Sequence, residues 1–157
     1  MKVINQGKGY IFTEFLDNPR PHCPMVHNVS LDFLDEEVLL ANALADYKSF
    51  DSTQPTIFIS EGLIMYLGAE GKLKLIRNIS EVAAPGSVLI LQFMEDLVNN
   101  SSAALSTAEA TSILEECGWN NLLFSRFGDE TLNYGRYPTD RFEPSASFSF
   151  VVCSKNV

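Results

Sequence analysis

The run Pro55-Thr56-Ile57-Phe58-Ile59-Ser60 stops at Glu61-Gly62, and that junction constrains the chain more than any other segment. A short apolar, β-branched run bounded by turn residues reads as a buried strand. In an open α/β sheet, ligands sit outside the carboxyl ends of the strands, where a carboxylate followed by a residue without a side chain can meet them. The same Glu61 would also serve as a helix-capping carboxylate. Spacing alone admits both readings.

The flanking sequence repeats the strand-helix alternation. Leu73, Ile76, Ile79 and Ala83 recur at three- and four-residue steps, one apolar helical stripe. Pro85-Gly86 ends that helix, and Ser87 to Phe93 is nearly all apolar, as in a central strand covered on both faces. Ser106 and Glu109 have capping-box spacing, for a helix ending at Gly118. Trp119–Phe127 and Ser147–Cys153 read as two β segments without a helix between them, hence an antiparallel pair, joined by a long connection bearing Asp129, Arg136 and Arg141. Upstream, Met25 to Leu31 reads as a strand ending near Asp32, with Asp35 capping a helix that contains Leu39, Leu40, Leu44 and Tyr47. Residues 1–24 are an irregular lead-in, because Pro19, Pro21 and Pro24 preclude helix and central strand. The expected order over residues 25–157 is β-α-β-α-β-α-β-β in one domain.

Composition narrows the function classes. Eleven basic against twenty acidic residues give a net charge of −9, which opposes binding to a phosphate backbone. No run approaches the ~20 apolar residues that span a bilayer, and the first residues lack a signal-peptide core, so the expectation is a cytoplasmic protein away from membranes. Cys23, Cys117 and Cys153 suit reduced structural thiols. His22, Cys23 and His27 lack a fourth ligand at recognisable spacing, so no metal is expected.

The wording of the motifs goes further. Glu61-Gly62-Leu63-Ile64-Met65-Tyr66-Leu67 after the Pro55–Ser60 run resembles the strand-four motif of S-adenosylmethionine-dependent methyltransferases of the leucine carboxyl methyltransferase and polyketide-type O-methyltransferase family. The resemblance continues through Ala84-Pro85-Gly86-Ser87, Cys117-Gly118-Trp119, Gly128-Asp129 and Tyr134-Gly135-Arg136-Tyr137-Pro138. It implies a partial class I methyltransferase, a Rossmann-like α/β sheet with helices on both faces and a C-terminal antiparallel strand pair. It also implies S-adenosylmethionine as cofactor, with Asp32 and Phe33 as the acidic-apolar pair at the adenine and Glu61 near the cofactor's ammonium group. The alternative for Asp32 is a turn cap. Tyr66 either walls the acceptor site or packs in the core, with core the preferred reading. Arg136 either contacts an acceptor carboxylate or pairs with Glu130 on the surface.

The family's opening strand and glycine-rich turn are not legible. Gly7-Lys8-Gly9 leads into Tyr10-Ile11-Phe12 rather than into a helix start, and reads as a plain turn. The expectation is therefore a shortened domain lacking the usual first βαβ unit, with a sheet edge open to a second copy or a protein partner. Two functions follow. One is an O-methyltransferase acting on a carboxyl or small-molecule hydroxyl acceptor. The other is a non-catalytic interaction or regulatory protein without cofactor binding.

Overall fold

A computed structural model describes His27 and residues 29–35, 39–47, 49–95, 104–127, 129 and 148–156. The chain divides into two compact units, Met1–Val38 and Leu39–Val157. In the first, the carbonyl of Asp32 accepts from the Asp35 N–H at 3.3 Å and its Oδ1 accepts from the Leu34 N–H at 3.0 Å. The expected strand over residues 25–31 does not appear at residues 29–31, and Met25, Val26 and Asn28 lie outside the described residues. A short side-chain carboxylate bonding its own backbone two residues on favours a turn over an extended ladder.

In the second unit, α1 spans Leu40–Ala45, with Leu39 rather than Asp35 at its N-cap. The cap is supplied from elsewhere in the fold. Asn78 Oδ1 accepts from the Leu40 N–H at 2.8 Å, while its Nδ2 donates to the Lys74 carbonyl. A buried amide can satisfy an orphan helix donor as well as a local side chain can, so sequence spacing pointed to the wrong capping residue.

There follow β1 (Ile57–Ser60), a 3₁₀ turn at Ile64–Tyr66, α2 (Gly68–Val82), β2 (Val88–Met94), α3 (Thr107–Glu116), β3 (Trp119–Arg126) and β4 (Phe148–Lys155). The sheet order is β1-β2-β4-β3, with β1 and β2 parallel and β4 antiparallel to both its neighbours. The mixed sheet and its antiparallel C-terminal pair are as expected from the sequence. Helices on the second face are not among the described residues.

Ser106 and Glu109 form the expected capping box. Ser106 Oγ accepts from the Glu109 N–H at 3.2 Å, and Glu109 Oε2 accepts from the Ser106 N–H at 2.9 Å. These bonds hold the Glu109 carboxyl below its usual range. Ser106→Ala removes half of the box and is expected to lower stability by about 1 kcal/mol, measured by urea denaturation; an unchanged midpoint would show that the helix start is held by packing alone.

Strand alternation sorts the sheet into two unlike faces. Leu89, Leu91, Phe93, Trp119 and Val151 point to one face and are buried, together with Leu75, Ile76 and Ile79 of α2 and Leu114 of α3. Trp119 Nε1 donates to Ser80 Oγ on α2 at 2.7 Å, and that hydroxyl donates to the Ile76 carbonyl at 2.6 Å. Lys155 lies over the same indole, 5.3 Å from the ring centroid, and donates to the Cys117 carbonyl. Such a chain satisfies each buried polar atom where α2 crosses the sheet.

Candidate functional site at the carboxyl edge of the sheet

Because β1 and β2 are parallel and β3 runs antiparallel to β4, the carboxyl ends of β1, β2 and β3 meet the amino end of β4 along one sheet edge. That edge gathers Glu61, Glu95, Ser149 and Arg126 in the order of the strands. Glu61 follows the last residue of β1, is exposed, and has no hydrogen-bond or ion partner among the described residues. Its position is fixed through its neighbour. Gly62 takes φ +63°, a left-handed turn that glycine adopts without strain, and its N–H donates to Gln92 Oε1 of β2 at 2.7 Å. The hydroxyl of Ser60 is buried and lacks a partner among the described residues. An unpaired buried hydroxyl costs ~1–3 kcal/mol, so the end of β1 is locally unfavourable.

The adjoining carboxylate was not singled out in the sequence. Glu95 immediately follows β2, and its Oε1 accepts from Thr107 Oγ1 at 2.8 Å and Ser149 Oγ at 2.7 Å. Its Oε2 pairs with Arg126 Nη2 at 3.1 Å. The Ser149 bond is the first cause that holds its carboxyl below the usual range, and the Thr107 bond and the Arg126 charge act in the same direction against partial burial. Asp129 Oδ2 accepts from the Arg126 backbone N–H at 2.7 Å. These groups, with Phe124 and Ser125, line an open cleft of about 300 Å³. Glu95 repeats the pattern of an apolar strand ending in an acid that marked Glu61, and that was the available signal.

Asp32 is exposed and Phe33 half-buried, both in the unit that precedes Leu39. Asp32 makes the turn contacts that its alternative reading required, but only Oδ1 is used in them. Tyr66 is 76% exposed at the end of the 3₁₀ turn, which corrects the core reading. The turn directs Ile64 inward instead, and Ile64 is fully buried. Arg136, Glu130 and Arg141 lie outside the described residues. So do His22 and Cys23, and among the described residues no group of three or more His, Cys, Asp or Glu is placed to hold a metal ion. Cys117 and Cys153 are free thiols, and burial pushes the Cys153 thiol up to about 11. No described helix is long and apolar enough to cross a membrane.

Residues 14–80 match the model of the leucine carboxyl methyltransferase family. The match includes Asp32, Phe33, Glu61 and Tyr66 and stops short of Glu95 and Arg126. A provisionally named S-adenosyl-L-methionine-dependent methyltransferase of Mycolicibacterium paratuberculosis is 38% identical over 80 residues, which cover 50% of this chain and 24% of that protein. A protein of the same description from Mycolicibacterium smegmatis is 46% identical over 46 residues, 29% of this chain and 15% of its own. The chain thus aligns with about a quarter or less of the length of these relatives. Among solved structures, the S-adenosylmethionine-dependent methyltransferase SibL in its apo form is 14% identical, with a TM-score of 0.48 over 98% of this chain and 41% of that one.

Proposed function

We propose that this chain, whose residues 14–80 match the leucine carboxyl methyltransferase model, is a segment of an S-adenosylmethionine-dependent O-methyltransferase with a carboxyl or small-molecule hydroxyl acceptor. The observation that carries the reading is Glu61. It is an unpartnered carboxylate at the carboxyl edge of a parallel strand pair, tethered through the Gly62–Gln92 bond and lying inside the matched segment. A carboxylate so placed fits the ammonium group of the cofactor's amino-acid end, a charge-assisted contact that strengthens as water is excluded. The unpaired Ser60 hydroxyl beside it fits a position where stability is given up for binding.

S-adenosylmethionine, when bound, supplies an electrophilic methyl group on a sulfonium. The work left to the chain is alignment. Asp32 has one carboxylate oxygen outside its turn contact, suited to accept from an adenine amine, and the Phe33 backbone N–H donates to no group among the described residues. Exposed Tyr66 is free to wall the acceptor side, and Arg136 is assigned to an acceptor carboxylate. A carboxylate acceptor needs no base, whereas a hydroxyl would require proton removal. The free thiols fit action in the cytoplasm, and the net charge of −9 disfavours nucleic acid as a partner.

Calorimetric titration of the chain with S-adenosylmethionine and S-adenosylhomocysteine tests the reading. Micromolar binding is expected, about −8 kcal/mol. Glu61→Gln should weaken it roughly tenfold or more, about 1.4 kcal/mol, with an unchanged circular-dichroism spectrum. Equal affinity in the variant would remove Glu61 from the site. Failure of the folded wild-type chain to bind either compound would reject the cofactor reading and favour the non-catalytic interaction protein.

A further inference from the structure

The N–H that anchors the turn after β1 belongs to the peptide unit joining Glu61 to Gly62, and it donates to Gln92 Oε1 at 2.7 Å. A backbone N–H only donates, so this bond fixes which end of the Gln92 carboxamide meets the turn. The oxygen is used. The NH₂ of the same carboxamide stands beside the Glu61–Gly62 peptide with two donors and no partner among the described residues. Gln92 is half-buried, and the parallel register that pairs Ser60 with Leu91 sets it level with Glu61. Apart from its chain neighbours, no heavy atom lies within 4 Å of the point where a Cβ on Gly62 would stand, so the turn is open there.

We propose that Gln92 is a specificity-determining residue of this site. Its NH₂ donates to the carboxylate of a ligand whose ammonium pairs with Glu61, so the ends of β1 and β2 select an α-amino-acid head over a simple amine. The inference rests on the reading of Glu61 given above and supplies the other half of the recognition.

The chemistry of the two groups is complementary to that head. In an α-amino acid the ammonium and the carboxylate sit on one carbon, so the groups that bind them must also be neighbours. Glu61 offers only acceptors and the free end of Gln92 only donors, from adjacent parallel strands, and the Gly62 bond holds them in one arrangement. A free carboxylate and a free amide NH₂ flanking one peptide suit each other, yet neither bonds the other here. Both remain available to a ligand. The neutrality of Gln92 matters as well. A cation in its place would pair with Glu61 itself, whereas an uncharged NH₂ donates to a ligand carboxylate and leaves the Glu61 charge for the ammonium. The amino-acid end of S-adenosylmethionine carries both groups.

Calorimetric titration of the whole chain at ~0.15 M salt, where exposed charges more than ~8 Å apart are largely screened, compares S-adenosylmethionine with its decarboxylated analogue. The analogue keeps the sulfonium and the ammonium and lacks only the carboxylate. The wild-type chain should bind S-adenosylmethionine roughly tenfold or more tightly than the analogue, the scale of a hydrogen bond to a charged group. Gln92→Glu keeps an oxygen to accept from the Gly62 N–H and exchanges the two donors for a second carboxylate. It should weaken S-adenosylmethionine roughly tenfold or more and leave the analogue's affinity unchanged or raised, with an unchanged circular-dichroism spectrum. Equal or tighter wild-type binding of the analogue overturns the proposal without recourse to any variant. So does a Gln92→Glu chain in which both ligands weaken alike or neither does, which would leave Gln92 as an anchor of the turn alone. The Glu61 reading fails differently. Glu61→Gln then leaves the affinity for S-adenosylmethionine unchanged, or the wild-type chain binds neither compound, and the inference falls with it.

Discussion

Trp119→Ala is expected to cost about 3–5 kcal/mol, the range for truncating a large aromatic side chain in a packed core. Trp119 is fully buried at the start of β3, where α2 crosses the sheet. The variant loses the indole's packing, its 2.7 Å bond to Ser80 and the Lys155 contact at once. Against the 5–15 kcal/mol of a typical domain, that is enough to leave a substantial unfolded fraction. Trp119→Phe keeps most of the ring and loses the hydrogen bond, and should cost about half as much or less. Ser80→Ala leaves the indole N–H buried without an acceptor and should cost ~1–3 kcal/mol. Urea denaturation of the three variants orders them. If Trp119→Ala cost no more than Ser80→Ala, packing would not be the dominant contribution at this crossing.

The segments legible in the sequence were those whose local signals agree with their packing. The capping box at Ser106 and Glu109 involves residues three apart, and the Pro85-Gly86 stop is local too, with Gly86 at φ +82°. The β2 run and the terminal antiparallel pair follow from apolar patterning that the fold buries. The start of α1 was missed because its cap, Asn78, comes from a residue 38 positions away. Tyr66 was read as a core residue from its place in an apolar run, whereas the 3₁₀ turn there buries Ile64 and leaves Tyr66 outside. At the site, Glu61 was visible because glycine follows it. Glu95 ends an apolar strand in the same way, but its role depends on Thr107, Ser149 and Arg126, which come together only when four elements converge.

Glu95→Gln is expected to lower stability by ~1.5–3 kcal/mol, the scale of a hydrogen-bond set made to a charged group. The amide oxygen can still accept from one hydroxyl, but its NH₂ meets the Arg126 guanidinium, donor against donor. The hydroxyls should matter more than the ion pair. Arg126 is 64% exposed, and exposed pairs contribute ~0–1 kcal/mol, whereas Ser149 is buried and is the first cause of the lowered Glu95 pKa. Ser149→Ala should therefore cost more than Arg126→Ala. The pH dependence has a definite sign. With the folded carboxyl held below its ordinary value of 4.5, the unfolded chain binds more protons in the interval between the two values, so stability rises with pH there. The contribution of Glu95 is fully present above pH 4.5 and is lost as pH falls through the lower folded value. The stability difference between wild type and Glu95→Gln should thus stay constant from neutral pH down to about 4.5, shrink as pH falls from there through the lower folded value, and level off below it. Urea midpoints of both proteins from acid to neutral pH measure this difference. A gap independent of pH throughout would mean that the loss comes from packing and not from the carboxylate charge.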